Sequence, residues 1–226
     1  MAKGNAQQLD LQAQIDAAQE GAVIQLEKGV YEGNIVITKS IVLEGVEGTV
    51  LKSDTDEPTI TIDNTSDVAI RNISIETHGT GMTIRKVSDI QLANIHMENV
   101  DAGIKIYNAQ YVQGSKLTIE GNTQHYSKKG NGIAIYDSKS VELLDNDIRS
   151  VQDGFYIENV KDITVQHNTV TKSRYGTHFM YSTDGTIREN TYTENVAALM
   201  VMMTENIQVE DNIASYQSDF NGTGIT

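Results

Sequence analysis

The fold of this chain is decided by the stretch Gly154-Phe-Tyr-Ile-Glu-Asn-Val-Lys-Asp-Ile-Thr-Val-Gln-His-Asn168, whose pattern recurs 22 residues later from Gly176 to Asn190. An asparagine ends each such unit, and the same interval separates Asn146, Asn168, Asn190 and Asn212. A period in this range is typical of a solenoid, in which each repeat buries its apolar side only against its neighbours. We therefore predict one domain, 1–226, with coils over 23–226.

Two earlier asparagines, Asn72 and Asn94, are also 22 residues apart. The gap from Asn94 to Asn146 is 52 residues, or 22 plus 30. We therefore predict that Lys116 stands in place of a missing asparagine, and that the next coil carries an insertion of eight residues, near 117–131. Amides stacked on successive coils about 4.8 Å apart can hydrogen-bond to one another, which indicates a structural role for the column.

Each repeat contains two apolar alternations, for example Gly154–Ile157 and Ile163–Val165, which both have the pattern of short strands. A leucine-rich repeat is the main alternative, since residues 163–170 fit its strand consensus. In that fold the return segment is a helix or a turn-rich arc, whereas here it alternates with period two. The pattern predicts an all-β fold, a right-handed parallel β-helix.

The two ends of the predicted solenoid differ. Leu9, Leu11, Ile15 and Ala18 fall near helical spacing before Gly21, which predicts an amphipathic helix over 9–20. A helix there would cover the unpaired strand edges of the first coil. No cap is visible at the other end, where residues 221–226 stop as a further strand should begin, so we expect the C-terminus to be truncated from a longer protein.

Small residues recur at the start of one alternation in successive coils. We attribute them to a backbone bend too sharp for a side chain. They are Gly81, Gly103, Gly132, Gly154, Gly176 and Ala198.

Composition excludes several classes of function. The formal net charge of −14 disfavours nucleic acid or an anionic membrane as a partner, because both reward clustered Lys and Arg. The absence of Cys excludes disulfides, thiolate metal sites and thiol nucleophiles. No stretch reaches the roughly 20 apolar residues of a membrane span, and the first residues lack the apolar run of a signal peptide.

Strand alternation separates the core from the surface. Three pairs are predicted to point inward: Phe155 with Ile157, Thr177 with Phe179, and Leu199 with Val201. The residues between and after them point outward on three adjacent coils, and we call them the His–Met strip: Tyr156, Glu158, His178, Met180, Met200 and Met202. Earlier coils place Lys105, Tyr107, Ala134 and Tyr136 on the same face.

Outward methionines beside a histidine suggest a metal site. Thioether sulfur and imidazole suit Cu(I), and neighbouring coils would place His178 beside Met200 and Met180 beside Met202. The candidate metal ligands are therefore His178, Met180, Met200 and Met202. The alternative is an apolar strip covered by another protein, since Met is favoured at adaptable interfaces, and the two interpretations are compatible.

The segments Arg174-Tyr-Gly-Thr-His-Phe-Met-Tyr-Ser182 and Ala197-Ala-Leu-Met-Val-Met-Met203 resemble the NosD family of β-helix proteins. The opening, from Gln14-Ile-Asp-Ala-Ala to Ile37-Thr-Lys-Ser-Ile-Val-Leu-Glu-Gly45, is similar to that family and to the broader carbohydrate-binding and sugar-hydrolase β-helices. One departure concerns Val201, where family members usually have Tyr.

The NosD resemblance implies a non-catalytic accessory protein of the periplasm or extracytoplasmic surface. It would assist copper delivery to apo nitrous-oxide reductase, together with the ATPase and membrane subunits of an ABC transporter and a copper chaperone. The bound metal would be copper as Cu(I). The partner-binding face would comprise the His–Met strip with Tyr107 and Tyr136.

A carbohydrate-active or carbohydrate-binding β-helix, such as a polysaccharide lyase, hydrolase or epimerase, is the alternative function. Glycoside hydrolysis needs two facing carboxylates, and the candidates are Asp145, Asp147, Asp153 and Glu158. We expect the acidic residues at turns to be solvated. Tyr107, Tyr136 and Tyr156 could stack on sugars, and a purely structural docking β-helix is a third possibility.

Histidines outside the His–Met strip carry weaker signals. His125, Tyr126, Lys128 and Lys129 lie in the predicted insertion, and a binding loop or a tolerated insertion would both explain them. The remaining three are isolated by repeat position, and we interpret them as surface or turn residues: His78, His96 and His167.

Overall fold

The computed structural model describes residues 10–217 and 223–226, and it confirms the predicted all-β solenoid. Every paired strand runs parallel to its partner, and most partners are 22 residues apart, as in Phe155 with Thr177 and Thr177 with Leu199. The coils therefore stack in register. The right-handed sense of the helix stays a prediction.

The strands of the early coils are β1 (Ala22–Gln25), β2 (Gly29–Glu32), β3 (Ile35–Ile37), β4 (Ile41–Glu44), β5 (Thr49–Ser53), β6 (Ile60–Thr77), β7 (Thr80–Val100), β8 (Ala102–Tyr107) and β9 (Gln110–Gly121). The later coils contain β10 (Ile133–Tyr136), β11 (Lys139–Leu144), β12 (Asp147–Arg149), β13 (Asp153–Glu158), β14 (Lys161–Gln166), β15 (Thr169–Thr171), β16 (Tyr175–Met180), β17 (Thr183–Arg188), β18 (Thr191–Thr193), β19 (Ala197–Met202), β20 (Glu205–Glu210), β21 (Ile213–Ser215) and β22 (Thr223–Ile225).

Three parallel ladders run along the later coils. The first, which we call sheet 1, pairs β8, β10, β13, β16, β19 and β22. The second pairs β9, β11, β14, β17 and β20, and the third pairs β9, β12, β15, β18 and β21. Sheet 1 carries every residue of the His–Met strip.

The core is built mainly from Ile, Val and Leu side chains, with a few aromatic rings. Phe155, Phe179 and Tyr192 are the largest fully buried side chains, and the hydroxyls of Tyr192 and Thr177 are 2.9 Å apart inside the core. Five of the six residues predicted to point inward are fully buried, and Val201 is partly buried against the same core. The predicted register of sheet 1 is therefore confirmed.

The insertion is one residue shorter than the sequence analysis predicted. Ile133 pairs with Ile104 and Asp147 with Thr118, a spacing of 29 residues, so the coil carries seven extra residues and not eight. Lys116 consequently aligns with Asp145, one position before Asn146. The extra residues form the connection between β9 and β10, which contains a 3-10 turn at Tyr126–Lys128.

The asparagines therefore form two columns rather than one interrupted column. Asn72 and Asn94 adopt left-handed backbone conformations with φ of 57° and 52°, and the Asn94 amide donates to Asn72 at 2.7 Å. Asn is the residue type that best tolerates this conformation after glycine. Lys116 and Asp145 continue the same left-handed column, with φ of 53° and 56°.

The second column is a buried amide ladder inside the turn. The side-chain oxygen of Asn168 accepts from the backbone and side-chain nitrogens of Asn146, both at 2.9 Å. Asn190 accepts in the same way from Asn168, at 2.9 and 3.0 Å. Each amide thus satisfies backbone groups that would otherwise be buried without partners, which confirms the structural role predicted for it.

The glycine column has a different cause from the one predicted. None of its glycines lies among the residues with positive φ in the described part of the chain. A Cβ at Gly154 would instead lie 2.6 Å from the carbonyl oxygen of Gly176 and 2.5 Å from Val170 Cγ1. The coils approach one another too closely here for any side chain.

The N-terminal helix, α1 (Leu11–Ala17), is shorter than the predicted span of 9–20, and Leu9 lies outside the described residues. Asp10 caps it by accepting from the backbone nitrogens of Gln12 and Ala13. Leu11 and Ile15 are buried at the start of the solenoid core, as expected of a capping helix.

Candidate functional site

The outer face of sheet 1 brings the His–Met strip together. His178 lies between Tyr156 and Met200 on adjacent strands, and Met180 lies between Glu158 and Met202. Both predicted neighbour pairs, His178 with Met200 and Met180 with Met202, are confirmed. Parallel strands at this spacing place the side chains of each pair within reach of a single ligand.

His178 is more deeply buried than the sequence analysis predicted. Its residue is 7% exposed, although it belongs to the outward-facing series of β16. The rings of Tyr156 and Tyr175 meet the imidazole edge-on, with centroids at 5.0 and 5.2 Å. These neighbours cover the ring, so His178 forms the floor of the site.

The expectation that the turn carboxylates are solvated is wrong for Asp153, which is 0% exposed. Its Oδ1 accepts from Arg174 Nε at 2.8 Å, and its Oδ2 accepts from Arg174 Nη2 at 2.6 Å. His178 Nδ1 lies 3.1 Å from the same Oδ2. Burial alone would raise the pKa of the Asp153 carboxyl, but the hydrogen bonds to His178 and Arg174 and their charges lower it.

Repeat spacing offers a weak signal for this cluster. Arg174 lies 21 residues after Asp153, one residue short of a coil, so its side chain can reach the preceding turn.

The other ring nitrogen of His178, Nε2, is buried and has no hydrogen-bond partner within the described ranges 10–217 and 223–226. A buried nitrogen in this state is uncommon, which singles out Nε2 as a candidate ligand-binding atom.

Glu158 and Met180 are linked through Tyr156. The Tyr156 hydroxyl donates to Glu158 Oε2 at 2.8 Å and lies 3.4 Å from Met180 Sδ. Burial, followed by the hydrogen bond to Glu158 and its charge, raises the pKa of Tyr156 well above the ordinary value. Tyr156 therefore stays neutral, and its hydroxyl group orients the carboxylate at the edge of the strip.

The methionines of the last coil are more accessible. Met200 is half-buried beside His178, whereas Met202 is 41% exposed and Met203 is 70% exposed. Met203 has a left-handed backbone with φ of 51° and was not singled out by strand alternation. Met202 and Met203 therefore leave the end of the strip accessible to solvent.

An aromatic ladder leads to this site along sheet 1. The rings of Tyr107 and Tyr136 are stacked with centroids at 4.9 Å and an interplanar angle of 7°. Tyr136 and Tyr156 follow at 5.5 Å, and Tyr156 then contacts His178. Tyr107 and Tyr136 stack on each other, so the two ring faces that are in contact cannot also stack on a sugar.

The histidines outside the strip are engaged locally. His125 Nδ1 lies 2.9 Å from Ser127 Oγ, and His96 Nε2 lies 2.9 Å from Glu98. His167 is an exposed residue with a left-handed backbone, as its interpretation as a surface or turn residue predicted, but it is not isolated, since its Nε2 lies 2.9 Å from Glu189 on the next coil. Among the described residues, no group of three or more His, Cys, Asp or Glu could hold a metal ion, and no helix is long and apolar enough to cross a membrane.

The fold and the site together define a class: parallel β-helix proteins that carry a histidine–methionine strip on one outer face. Residues 115–226 match the family described as "Periplasmic copper-binding protein (NosD)". The matched part of the chain contains the entire strip, and the match agrees with the resemblance to the NosD family given by the sequence. No curated protein matches the sequence.

Solved structures confirm the fold alone. The GH136 lacto-N-biosidase of Eubacterium ramulus has a TM-score of 0.67 at 11% identity, over 87% of this chain and 51% of that one. ORF18 of Geobacillus virus E2 has a TM-score of 0.63 at 12% identity, over 90% and 58%. The Yersinia enterocolitica family 28 exopolygalacturonase has a TM-score of 0.54 at 11% identity, over 96% and 74%. The chain thus spans only a little more than half of the ORF18 and lacto-N-biosidase structures.

Proposed function

We propose that this chain binds Cu(I) as cargo at the His–Met strip and passes it on, without catalysing a reaction. The observation that carries the proposal is the buried Nε2 of His178, which makes no hydrogen bond to any described residue and lies on the strand next to Met200. An imidazole nitrogen with adjacent thioether sulfurs is a soft donor set suited to Cu(I).

The surrounding groups favour a soft cation over a hard one. Hard cations such as Mg²⁺ and Ca²⁺ take oxygen ligands, chiefly carboxylates. Both oxygens of Asp153 are already occupied by Arg174 and His178, and Glu158 accepts from Tyr156. The donors that adjoin one another on neighbouring strands, His178 and Met200, are an imidazole nitrogen and a thioether sulfur, which coordinate Cu(I) readily.

The role that fits this site is cargo transfer in the maturation of nitrous-oxide reductase. We place the chain in the periplasm or at an extracytoplasmic surface, in keeping with the description of the NosD family. The proposed partners are a copper chaperone, the ATPase and membrane subunits of an ABC transporter, and the apo-reductase. Exposed Met202 and Met203 at the rim would let a partner reach the cargo.

Catalysis at Asp153 is disfavoured by the state of its carboxyl group. A glycosidase needs one carboxyl group kept protonated as a general acid. The pKa of Asp153 is lowered, and the residue has no contact with solvent. We therefore propose a binding role for the face and assign no catalytic residue.

The test is an anaerobic Cu(I) competition titration of the wild type against the double variant His178→Ala/Met200→Ala. We expect sub-micromolar binding by the wild type and its loss in the double variant, with the fold retained by circular dichroism. The matched control is His96→Ala, which removes an exposed histidine on another face and should leave binding unchanged. A folded wild type that binds no Cu(I) would refute the proposal.

A further inference from the structure

Asp153 holds a position that cargo binding alone does not explain. Its carboxylate is fully buried at the first residue of β13, and the neighbouring coil supplies both groups that contact its oxygens: Arg174 and His178. The only contact of the carboxylate with the candidate ligands is through His178 Nδ1. Its effect on the site must therefore act through that imidazole.

We infer that Asp153 is a positioning residue that fixes His178 in the tautomer with hydrogen on Nδ1 and a bare lone pair on Nε2. In a neutral imidazole one ring nitrogen donates and the other accepts. An ionised carboxylate can only accept, so Nδ1 at 3.1 Å from Oδ2 must be the donor. Nε2 is then the nitrogen presented to a ligand, and its role as a copper ligand rests on the proposed function.

Arg174 and the backbone hold the carboxylate in place. The two hydrogen bonds from Arg174 set the plane of the carboxylate, because the guanidinium is a rigid fork. The Asp153 backbone nitrogen donates to Asn131 Oδ1 at 3.2 Å, and its carbonyl accepts from Gly132 at 2.9 Å. These contacts tie Asp153 to the end of the inserted connection, so both its side chain and its backbone are constrained.

The same geometry predicts that Asp153→Asn weakens this preference. The new side chain has one acceptor oxygen in place of two, whereas Arg174 and His178 direct three N–H groups at this position. Its NH₂ group therefore faces a donor in either orientation, and the ionised acceptor that holds the hydrogen on Nδ1 is lost. We expect the ring hydrogen to be shared between the two nitrogens, so that Nε2 carries a free lone pair in only part of the molecules, although the variant is nearly identical to the wild type in shape.

The primary test is nitrogen NMR of ¹⁵N-histidine-labelled protein without metal, at a pH well above the ordinary histidine pKa. His178→Gln assigns the His178 signals among the five histidines. We expect protonated Nδ1 and bare Nε2 in the wild type, and a measurable fraction of the molecules with the hydrogen on Nε2 in Asp153→Asn. A wild type with the hydrogen on Nε2, or an Asp153→Asn variant with an unchanged tautomer, would overturn the inference.

A Cu(I) titration then separates this inference from the proposed function. Groups that orient a metal-bound histidine typically contribute roughly 10- to 100-fold to metal affinity, so we expect Asp153→Asn to weaken Cu(I) binding by that factor. Asp63→Asn, which alters an exposed pair with Arg85 on another coil, should change neither readout. A wild type with the expected tautomer but no Cu(I) affinity would refute the proposed function and leave Asp153 as a positioning residue. Equal Cu(I) affinity in Asp153→Asn and the wild type would overturn the effect inferred for Asp153 on binding.

Discussion

At the scale of single residues, the buried carboxylate of Asp153 affects both the stability of the fold and the orientation of His178. A buried carboxylate destabilises a fold unless it is paired and hydrogen-bonded, and here Arg174 and His178 together provide three hydrogen bonds. Removing the carboxylate would leave the Arg174 charge, which is only partly exposed, without its partner. The same interaction that orients His178 therefore also stabilises two neighbouring coils.

We predict that Asp153→Ala lowers the free energy of unfolding by about 3 kcal/mol, the lower end of the range for breaking a buried ion pair. Urea denaturation followed by circular dichroism measures this change. The matched control is Asp63→Ala, whose exposed pair with Arg85 should contribute less than about 1 kcal/mol. Equal losses for the two variants would show that burial of Asp153 is energetically unimportant.

The pH dependence of stability follows from the lowered pKa of Asp153. Because the carboxyl pKa is lower in the folded than in the unfolded chain, its stabilisation is complete above the unfolded value of about 3.9. It is lost as the pH falls below that value and through the folded pKa. Urea midpoints measured from pH 6 downward should therefore fall more steeply for the wild type than for Asp153→Asn. Parallel curves would contradict this prediction.

At the scale of structural elements, the buried asparagine ladder is a specific source of coil stability. Asn190 accepts from two nitrogens of Asn168 and donates to the carbonyl of Val165. Substituting Ala would leave these groups without partners, at a cost of about 1–3 kcal/mol for each group that water cannot reach. The ladder thus links three successive coils at one corner.

We predict that Asn190→Ala lowers the free energy of unfolding by about 2–4 kcal/mol. Asn94→Gly is the matched control, because it removes an exposed amide of the other column and keeps the left-handed backbone accessible. The control should lose about 1 kcal/mol or less. Chemical denaturation of the two variants measures the difference, and similar losses would contradict the distinction between the columns.

The close approach of coils gives a second prediction at this scale. Gly154→Ala would place Cβ against the Gly176 carbonyl, a backbone atom that cannot move alone, so we expect a loss of about 1–3 kcal/mol. Gly79→Ala is the control, since its nearest neighbour would be Thr55 oxygen at 3.4 Å. A shift of the urea midpoint in the first variant but not in the second would agree with this explanation of the column.

At the scale of the whole molecule, the 22-residue period and strand alternation were sufficient to predict the solenoid and the register of sheet 1. The same reasoning overestimated the length of the insertion by one residue. Asparagine is favoured both at a left-handed turn position and in the buried ladder, so Asn94 and Asn146 looked equivalent in sequence. Because both positions favour asparagine, the spacing of the asparagines alone cannot show which of the two columns a given asparagine belongs to.

The candidate site was predicted in part. Alternation along the strands placed His178 beside Met200, because strand register follows from the repeat. The Asp153–Arg174 interaction was missed, since its two residues are 21 positions apart and so occupy different positions of the repeat, which leaves only a weak periodic signal. The burial of His178 was missed for a related reason: it depends on Tyr175, which precedes the predicted alternation.

The net charge and the outer face of sheet 1 also predict whether the protein binds sugars. With a formal charge of −14 and Tyr107 stacked on Tyr136, we expect neither oligouronides nor β-glucans to bind. Isothermal titration calorimetry with both ligands checks this. Saturable binding that Tyr136→Ala abolishes would instead favour the carbohydrate-binding alternative.

The most direct test of the account is X-ray absorption spectroscopy of the wild type loaded anaerobically with Cu(I). We predict a copper environment with one imidazole nitrogen and at least one sulfur, because His178 and Met200 are adjacent and the chain contains no cysteine. Since every sulfur in this protein is a thioether, a Cu–S contribution would identify methionine directly. A wild type that takes up no copper, or a spectrum with only oxygen and nitrogen neighbours, would contradict the assignment of the His–Met strip as a copper site.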